Sequence, residues 1–262
     1  MSSSPISSSP PPASSASVLP AALDFAHVET WVFDLDNTLY PPGLDLWRQI
    51  DMNMRGYIAN YLGLSLDEAF ALQKGYYRKY GTSLRGLMIE HGMDPDAFLD
   101  AAHKIDLASL DPAPALGLAL GDLPGRKLVY TNGSRAHAEQ VLAKLGISEH
   151  FADVHDIVAA EFHPKPQEPA YRRFLDMFEV DPTRSAMFED LARNLEVPAM
   201  LGMKTVLVVP PALTGAPAGQ PSVTGEPKTR EDWENEGFDA AHVDHVTDDL
   251  TGFLTALRAP AR

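Results

Sequence analysis

Two aspartates two positions apart, Asp34 and Asp36, follow the apolar run Trp31-Val32-Phe33 and precede Asn37-Thr38. Strand-forming residues that deliver paired carboxylates read as a buried strand opening into a loop at its C-terminal end. A buried strand does not finish on exposed paired carboxylates unless something cationic neutralises them. Phosphoryl transfer needs such a pair: Asp34 suits a nucleophile that forms an aspartyl-phosphate, and Asp36 suits an acid and base. Two neighbouring carboxylates in different environments titrate apart, which separates those roles. A lone DxD also serves turns and helix caps, so partners must be sought elsewhere in the chain.

Three further stretches supply them. Thr131-Asn132-Gly133-Ser134 closes an apolar run, and Thr131 with the Asn132 and Gly133 amides suits phosphate oxygens at a helix N-terminus. Lys165, flanked by Pro164 and Pro166, suits neutralisation of both Asp34 and a phosphoryl group. Asp190, with Glu189 before it, would join Asp34 and Asp36 in holding Mg²⁺, a hard ion that prefers oxygen. Taken singly, Thr131 is equally a helix cap, Lys165 a solvated loop lysine, and Glu189-Asp190 the cap of a following helix. Asn194 either orients an acidic neighbour or faces solvent.

The elements that position these residues alternate. Apolar runs at Trp31–Phe33, Arg126–Tyr130, Val154–Val158, Ala186–Asp190 and Lys204–Val209 read as strands, with Val243–Val246 as a short edge strand. Between them lie helical patterns at Pro112–Leu120, from Ser134 to the stop at Gly146, at Glu168–Phe178 and at Asp249–Leu257. Alternation implies an α/β fold, a Rossmann-like parallel sheet with right-handed crossovers. Ligands of such sheets sit beyond the strand C-termini, at a topological switch point. Asp34, Thr131, Lys165 and Asp190 all lie at or just after strand ends.

No strand pattern interrupts the stretch from Gly43 to Leu110. Trp47, Ile50, Met54, Tyr57, Ile58 and Tyr61 form one apolar face; Ser65 to Glu68 is a capping box; Ser83–His91 and Asp94–His103 follow, the last with Asp94 as N-cap. The expected organisation is therefore a Ser/Pro-rich tail over 1–26, a core from 27–42 and 111–262, and a helical cap over 43–110. The segment Tyr80–Gly86 reads as a loop reaching over the strand-end site, with Arg85 offering planar donors to a substrate. A Pro/Gly/Ala-rich loop is expected from Pro210 to about Arg230.

The charge balance closes other classes. With 36 acidic against 21 basic residues, the formal charge of −15 excludes the basic footprint that a nucleic acid or anionic membrane partner requires. The positive field for a phosphorylated small molecule must then be local. Without cysteine there is no disulfide, zinc-thiolate or cysteine nucleophile. No apolar run approaches the roughly 20 residues that span a bilayer. No Lys or Arg precedes Arg48, which fits neither a signal nor a transit peptide, so a cytoplasmic location is expected.

DLDNT (Asp34 to Thr38), TNGS (Thr131 to Ser134), KP (Lys165-Pro166) and EDLARN (Glu189 to Asn194) together resemble the four motifs of the haloacid dehalogenase superfamily. Asp34 and Thr131 stand 97 positions apart, Thr131 and Lys165 only 34, so the first interval alone has room for a cap, as in the C1-capped branch. Asp36 is unlike the metal-independent dehalogenases, which lack that acid. LDNTLYPP, YGTSLRGL and FEDLARNL are similar to the pyrimidine 5′-nucleotidases of this superfamily. The resemblance implies Mg²⁺-dependent hydrolysis of pyrimidine nucleoside 5′-monophosphates. Another small phosphomonoester, a phosphomutase reaction, or a non-catalytic module on the same fold are the alternatives.

Overall fold

The computed structural model describes residues 24–42, 44–210 and 240–257. Six strands, Thr30–Phe33 (β1), Arg126–Tyr130 (β2), Asp153–His155 (β3), Ser185–Glu189 (β4), Lys204–Val208 (β5) and His245–Thr247 (β6), pair in the order β3-β2-β1-β4-β5-β6. Every pairing is parallel, as the alternating pattern requires. The expected 210–230 loop, Pro210 apart, and the tail up to residue 23 lie outside the described residues.

The pleat of β1 divides the core. Trp31 and Phe33 face a cluster with Leu120 of α5 (Pro114–Asp122), Val141 and Leu142 of α6 (Arg135–Leu145), and Leu254 of α9 (Leu250–Ala256). Val32 faces the other way, with Leu128, Met187, and Tyr171 and Phe174 of α7 (Glu168–Phe178). Burying each of these large side chains contributes about 1.5–3 kcal/mol, so both faces of the sheet that carries the strand ends are firmly packed. Between β4 and β5 runs α8 (Glu196–Leu201). Asp24 and Phe25, expected to belong to the tail, pack on this core: Phe25 stacks on Trp31, and Asp24 pairs with Lys204 and His245 at 2.8 Å each.

Four helices separate β1 from α5: α1 (Leu46–Leu62), α2 (Leu66–Tyr80), α3 (Ser83–His91) and α4 (Pro95–Ala102). Their starts follow the cap residues. Ser65 and Glu68 form the reciprocal capping box of α2, and Asp94 caps α4 ahead of Pro95. A separate cluster, with Ile58, Leu84, Leu87, Phe98 and Leu99, holds these helices together, and Ile157 of the β3–α7 loop joins it. Among the described residues no helix is long and apolar enough to cross a membrane.

The expected Tyr80–Gly86 loop is shorter than its composition suggests. Thr82 Oγ1 accepts from the Arg85 amide at 3.2 Å and starts α3 at Ser83, leaving only Gly81 and Thr82 between helices. Gly86 lies inside α3 because a Cβ there would overlap the Tyr76 ring of α2. Its role is close helix packing, not chain reversal. Likewise β3 ends at His155, earlier than expected, because the Asp156 carboxylate turns the chain by accepting from the Arg135 and Ala159 amides.

Candidate active site

The sheet register brings three strand ends level. Phe33 pairs with Val129 on one side and Phe188 on the other, so Asp34 leaves β1 beside the ends of β2 and β4. Chain order reverses across β1, which makes this edge the switch point where doubly wound sheets bind ligands. Asn37, at φ +64°, adopts the left-handed conformation that asparagine tolerates, and Leu39 N bonds back to Leu35 O at 3.0 Å. That turn keeps the Asp34 and Asp36 carboxylates in one loop.

Asp34 is 6% exposed and Lys165 only 2%. Lys165 Nζ donates to Asp34 Oδ1 at 2.6 Å, Glu189 Oε1 at 2.7 Å and Tyr130 O at 2.8 Å, which uses all three ammonium hydrogens. Asn132 fixes the lysine backbone from both sides. Its Oδ1 accepts from Lys165 N at 2.9 Å and its Nδ2 donates to Lys165 O at 3.2 Å. Burial lowers the affinity of Lys165 for its proton, but Asp34 and Glu189 more than reverse this, and the ammonium is held firmly charged. Asp34 is driven above the ordinary carboxylate range by burial, with Lys165 opposing and the charges of Glu189 and Asp36 adding to the rise.

Ligand oxygens of Asp34, Glu189 and Asp190 all lie within 4.8 Å of one another, and all three residues are buried. Such an all-oxygen donor set fits a hard divalent cation. Within it Glu189 is already committed: Oε1 accepts from Lys165 and from Asn194 Nδ2 at 2.7 Å, and Oε2 from Leu191 N at 2.8 Å. Asp34, whose Oδ2 carries only the longer 3.2 Å bond from Thr38 Oγ1 among the described residues, and Asp190 fit the ion better, and Glu189 holds the lysine. The Asp36 carboxylate, expected among the metal ligands, is outside this group.

Asp36 turns to a different set of partners. Its Oδ1 accepts from Tyr40 OH at 2.5 Å and from His137 Nε2 at 2.8 Å. Burial would raise the Asp36 carboxyl, but the His137 charge and the bonds from His137 and Tyr40 together draw it down to about 2. The reciprocal effect on His137 is upward: burial lowers it, and the charge and hydrogen bond of Asp36 outweigh that. His103 stacks on His137 with ring centres 4.5 Å apart, and burial with the neighbouring His137 charge lowers it to about 4. The two neighbouring aspartates thus have opposed environments in the ligand-free protein, Asp34 raised and Asp36 lowered.

Thr131 is buried at the end of β2, and its Oγ1 accepts from Gly133 N at 2.9 Å. The Gly133 amide, expected to meet phosphate, is turned onto that hydroxyl, and the Asn132 side chain serves Lys165. Ser134 caps α6, as its sequence position suggests. Arg85 is not brought to the aspartates: its Nη1 donates to Phe162 O at 2.6 Å, in the loop that carries Lys165. Sequence reasoning missed Tyr40 and His137. Tyr40 stands four residues from Asp36, a weak local signal, whereas His137 lies 101 residues away and carries none.

The profile of haloacid dehalogenase-like hydrolases matches residues 28–202, and the chain belongs to that family. It is similar to Phosphate metabolism protein 8 of Saccharomyces cerevisiae, 28% identical over 134 residues, a match that spans 47% of this chain and 41% of that relative. Among solved structures, a defluorinating L-2-haloacid dehalogenase superposes with a TM-score of 0.51 at 17% identity, covering 88% of this chain and 96% of the other. This likeness shows the fold. A family hydrolase from Deinococcus radiodurans R1, solved with bound phosphate and sodium, gives 0.49 at 18% identity over 90% and 97% of the two chains.

Proposed function

We propose that this hydrolase is a Mg²⁺-dependent phosphomonoesterase working through an aspartyl-phosphate on Asp34. The observation that carries the reading is the buried lysine joining Asp34 to Glu189 beside Asp190. In the first step an Asp34 oxygen bonds to phosphorus, the phosphorus–ester oxygen bond breaks, and the leaving oxygen takes a proton from Asp36. In the second, a water oxygen bonds to phosphorus, its proton passes to Asp36, and the bond from phosphorus to Asp34 breaks to release phosphate. Asp36 is ionised in the ligand-free protein, and an incoming phosphoryl dianion favours its protonated form, since like charges oppose one another. The ion, when bound by Asp34 and Asp190, neutralises charge on those carboxylates and on the phosphoryl oxygens. Lys165 keeps Asp34 oriented and offsets the same charge; Thr131 supplies a hydroxyl at the phosphoryl side.

The leaving group we assign is a pyrimidine nucleoside, on the motif likeness carried by Tyr80–Leu87 and Phe188–Leu195; the name of the yeast relative points to phosphate metabolism in general terms. The test is release of inorganic phosphate from UMP, CMP, purine nucleotides, sugar phosphates and p-nitrophenyl phosphate, with Mg²⁺ and with EDTA. A 2-haloacid is assayed in parallel. Mg²⁺-dependent release, greatest for UMP and CMP, is expected. Halide release without phosphate release overturns the reaction class, and phosphoryl migration within a substrate without free phosphate marks a mutase.

A further inference from the structure

We propose that His137 is a positioning residue for Asp36, fixing its Oδ1 so that Oδ2 is the oxygen that exchanges protons with the leaving group and the attacking water. This inference rests on the phosphatase reading and assigns a role that the family motifs do not cover. His137 sits in the first turn of α6, 1% exposed, far from Asp36 in sequence and 2.8 Å from it in space. Both bonds to the carboxylate, from His137 and from Tyr40, fall on Oδ1; among the described residues none is recorded to Oδ2. Two donors on one oxygen stop the carboxylate rotating and leave the other oxygen for chemistry. A carboxylate acceptor at Nε2 requires hydrogen on that nitrogen, which fixes the ring's orientation.

The ring is held from behind. His103 lies against it almost parallel, at 15°, and His103 Nδ1 is 3.0 Å from Leu99 O and 3.1 Å from Ser134 Oγ. His103 follows α4, and Ser134 caps α6. The end of the helical insert therefore braces the ring that braces the acid–base residue.

Both transfer steps use Asp36, but a leaving group that departs without a proton needs it only in the second. With p-nitrophenyl phosphate, His137→Phe keeps a ring under His103 and removes the donor. The expected result is a burst of nitrophenol near one equivalent per site, then a steady rate about 10²-fold below wild type, the cost of a misplaced group. Acid quenching of labelled protein should trap a phosphoenzyme that wild type does not accumulate, and KM should fall together with kcat. His137→Gln, whose amide nitrogen reaches the place of Nε2, should recover most of the rate and lose the burst. His137→Phe with a wild-type rate, or with rate and burst amplitude lost in the same proportion, overturns the role, the second by marking lost folded sites. Undiminished turnover by Asp34→Asn instead overturns the aspartyl-phosphate reading itself.

Discussion

Lys165 Nζ lies 2.6 Å from Asp34 Oδ1, although 131 residues separate them, and the same nitrogen reaches Glu189 Oε1 at 2.7 Å. One buried cation therefore balances two buried anions, and the third, Asp190, stands beside them. Burial of charge on this scale is tolerated only with pairing and hydrogen bonding of the kind found here.

Lys165→Met should therefore lose turnover and also roughly 3–5 kcal/mol of stability in metal-free buffer, the cost of leaving buried charge uncompensated. Combining it with Glu189→Gln removes one of the opposed carboxylates, which should restore most of the stability and none of the activity. Urea unfolding with unchanged m-values checks both. A single variant as stable as wild type would show that the lysine does not hold the acids together.

Glu189 and Asp190 are neighbours with different work. Glu189 spends both oxygens on Lys165, Asn194 and Leu191, so Glu189→Gln should shift the Mg²⁺ concentration for half-maximal activity by no more than the roughly 10–100-fold typical of an outer contact. Asp190→Asn removes a carboxylate that fits the ion directly and should exceed that range. Metal titrations of activity, with Mg²⁺ binding measured by calorimetry, separate the two. Equal shifts would place Glu189 on the ion as well.

His155 gives a stability prediction with a definite sign. It lies buried among Tyr130, Phe174 and Phe178, and neither ring nitrogen has a hydrogen-bond partner among the described residues. Burial is the main cause of its fall to about 4. Between that value and the roughly 6.5 of an unfolded histidine, the unfolded chain binds the proton and the native one does not. The contribution is thus present above pH 6.5 and is lost as pH falls towards 4, by roughly 1–3 kcal/mol. His155→Leu should match wild type at pH 8 and be relatively more stable at pH 5. The comparison is read from urea midpoints at the two pH values; a constant difference would mean that the ring titrates normally in place.

Much of this was legible in the sequence where a local rule decided the outcome. The caps at Ser65, Asp94 and Ser134 set helix starts, and Glu168–Phe178 is amphipathic enough to be bounded at both ends. Asp34, Thr131 and Asp190 were legible because they directly follow strands of a parallel sheet, whereas Lys165 lies farther along the β3–α7 loop and was marked by its flanking prolines. Illegible were the features that distant partners decide. The chain turns at Asp156 because the Arg135 amide, 21 residues away, meets its carboxylate. Pro198 hides the short helix Glu196–Leu201, since proline ordinarily reads as a break. Glu189 reads as a metal ligand until its three donors are seen, and His137 reads as any helix residue until Asp36 is placed beside it.

Arg85 is the residue whose expected role the structure changes most. Its donor grips Phe162 O, and Glu161 and Phe162 are consecutive non-glycine residues in the left-handed region, at φ +52° and +59°. Such conformations are uncommon and persist when their surroundings impose them. The insert touches the same loop twice more: Gln167 Nε2 donates to Tyr80 O at 3.3 Å, and Pro164 packs so closely on Gly81, at φ +88°, that a Cβ there would stand 2.9 Å from its ring. Between these contacts lies Lys165. Arg85→Ala should therefore loosen the loop that delivers the lysine and lower kcat/KM for UMP and for p-nitrophenyl phosphate by the same factor. Loss of one charged hydrogen bond, about 1.5–3 kcal/mol, sets that factor at roughly 10–100. Arg85→Lys, with one donor left for the carbonyl, should recover part of both. A loss confined to the nucleotide would instead mean that the guanidinium leaves Phe162 and reads the leaving group, as the sequence alone suggests.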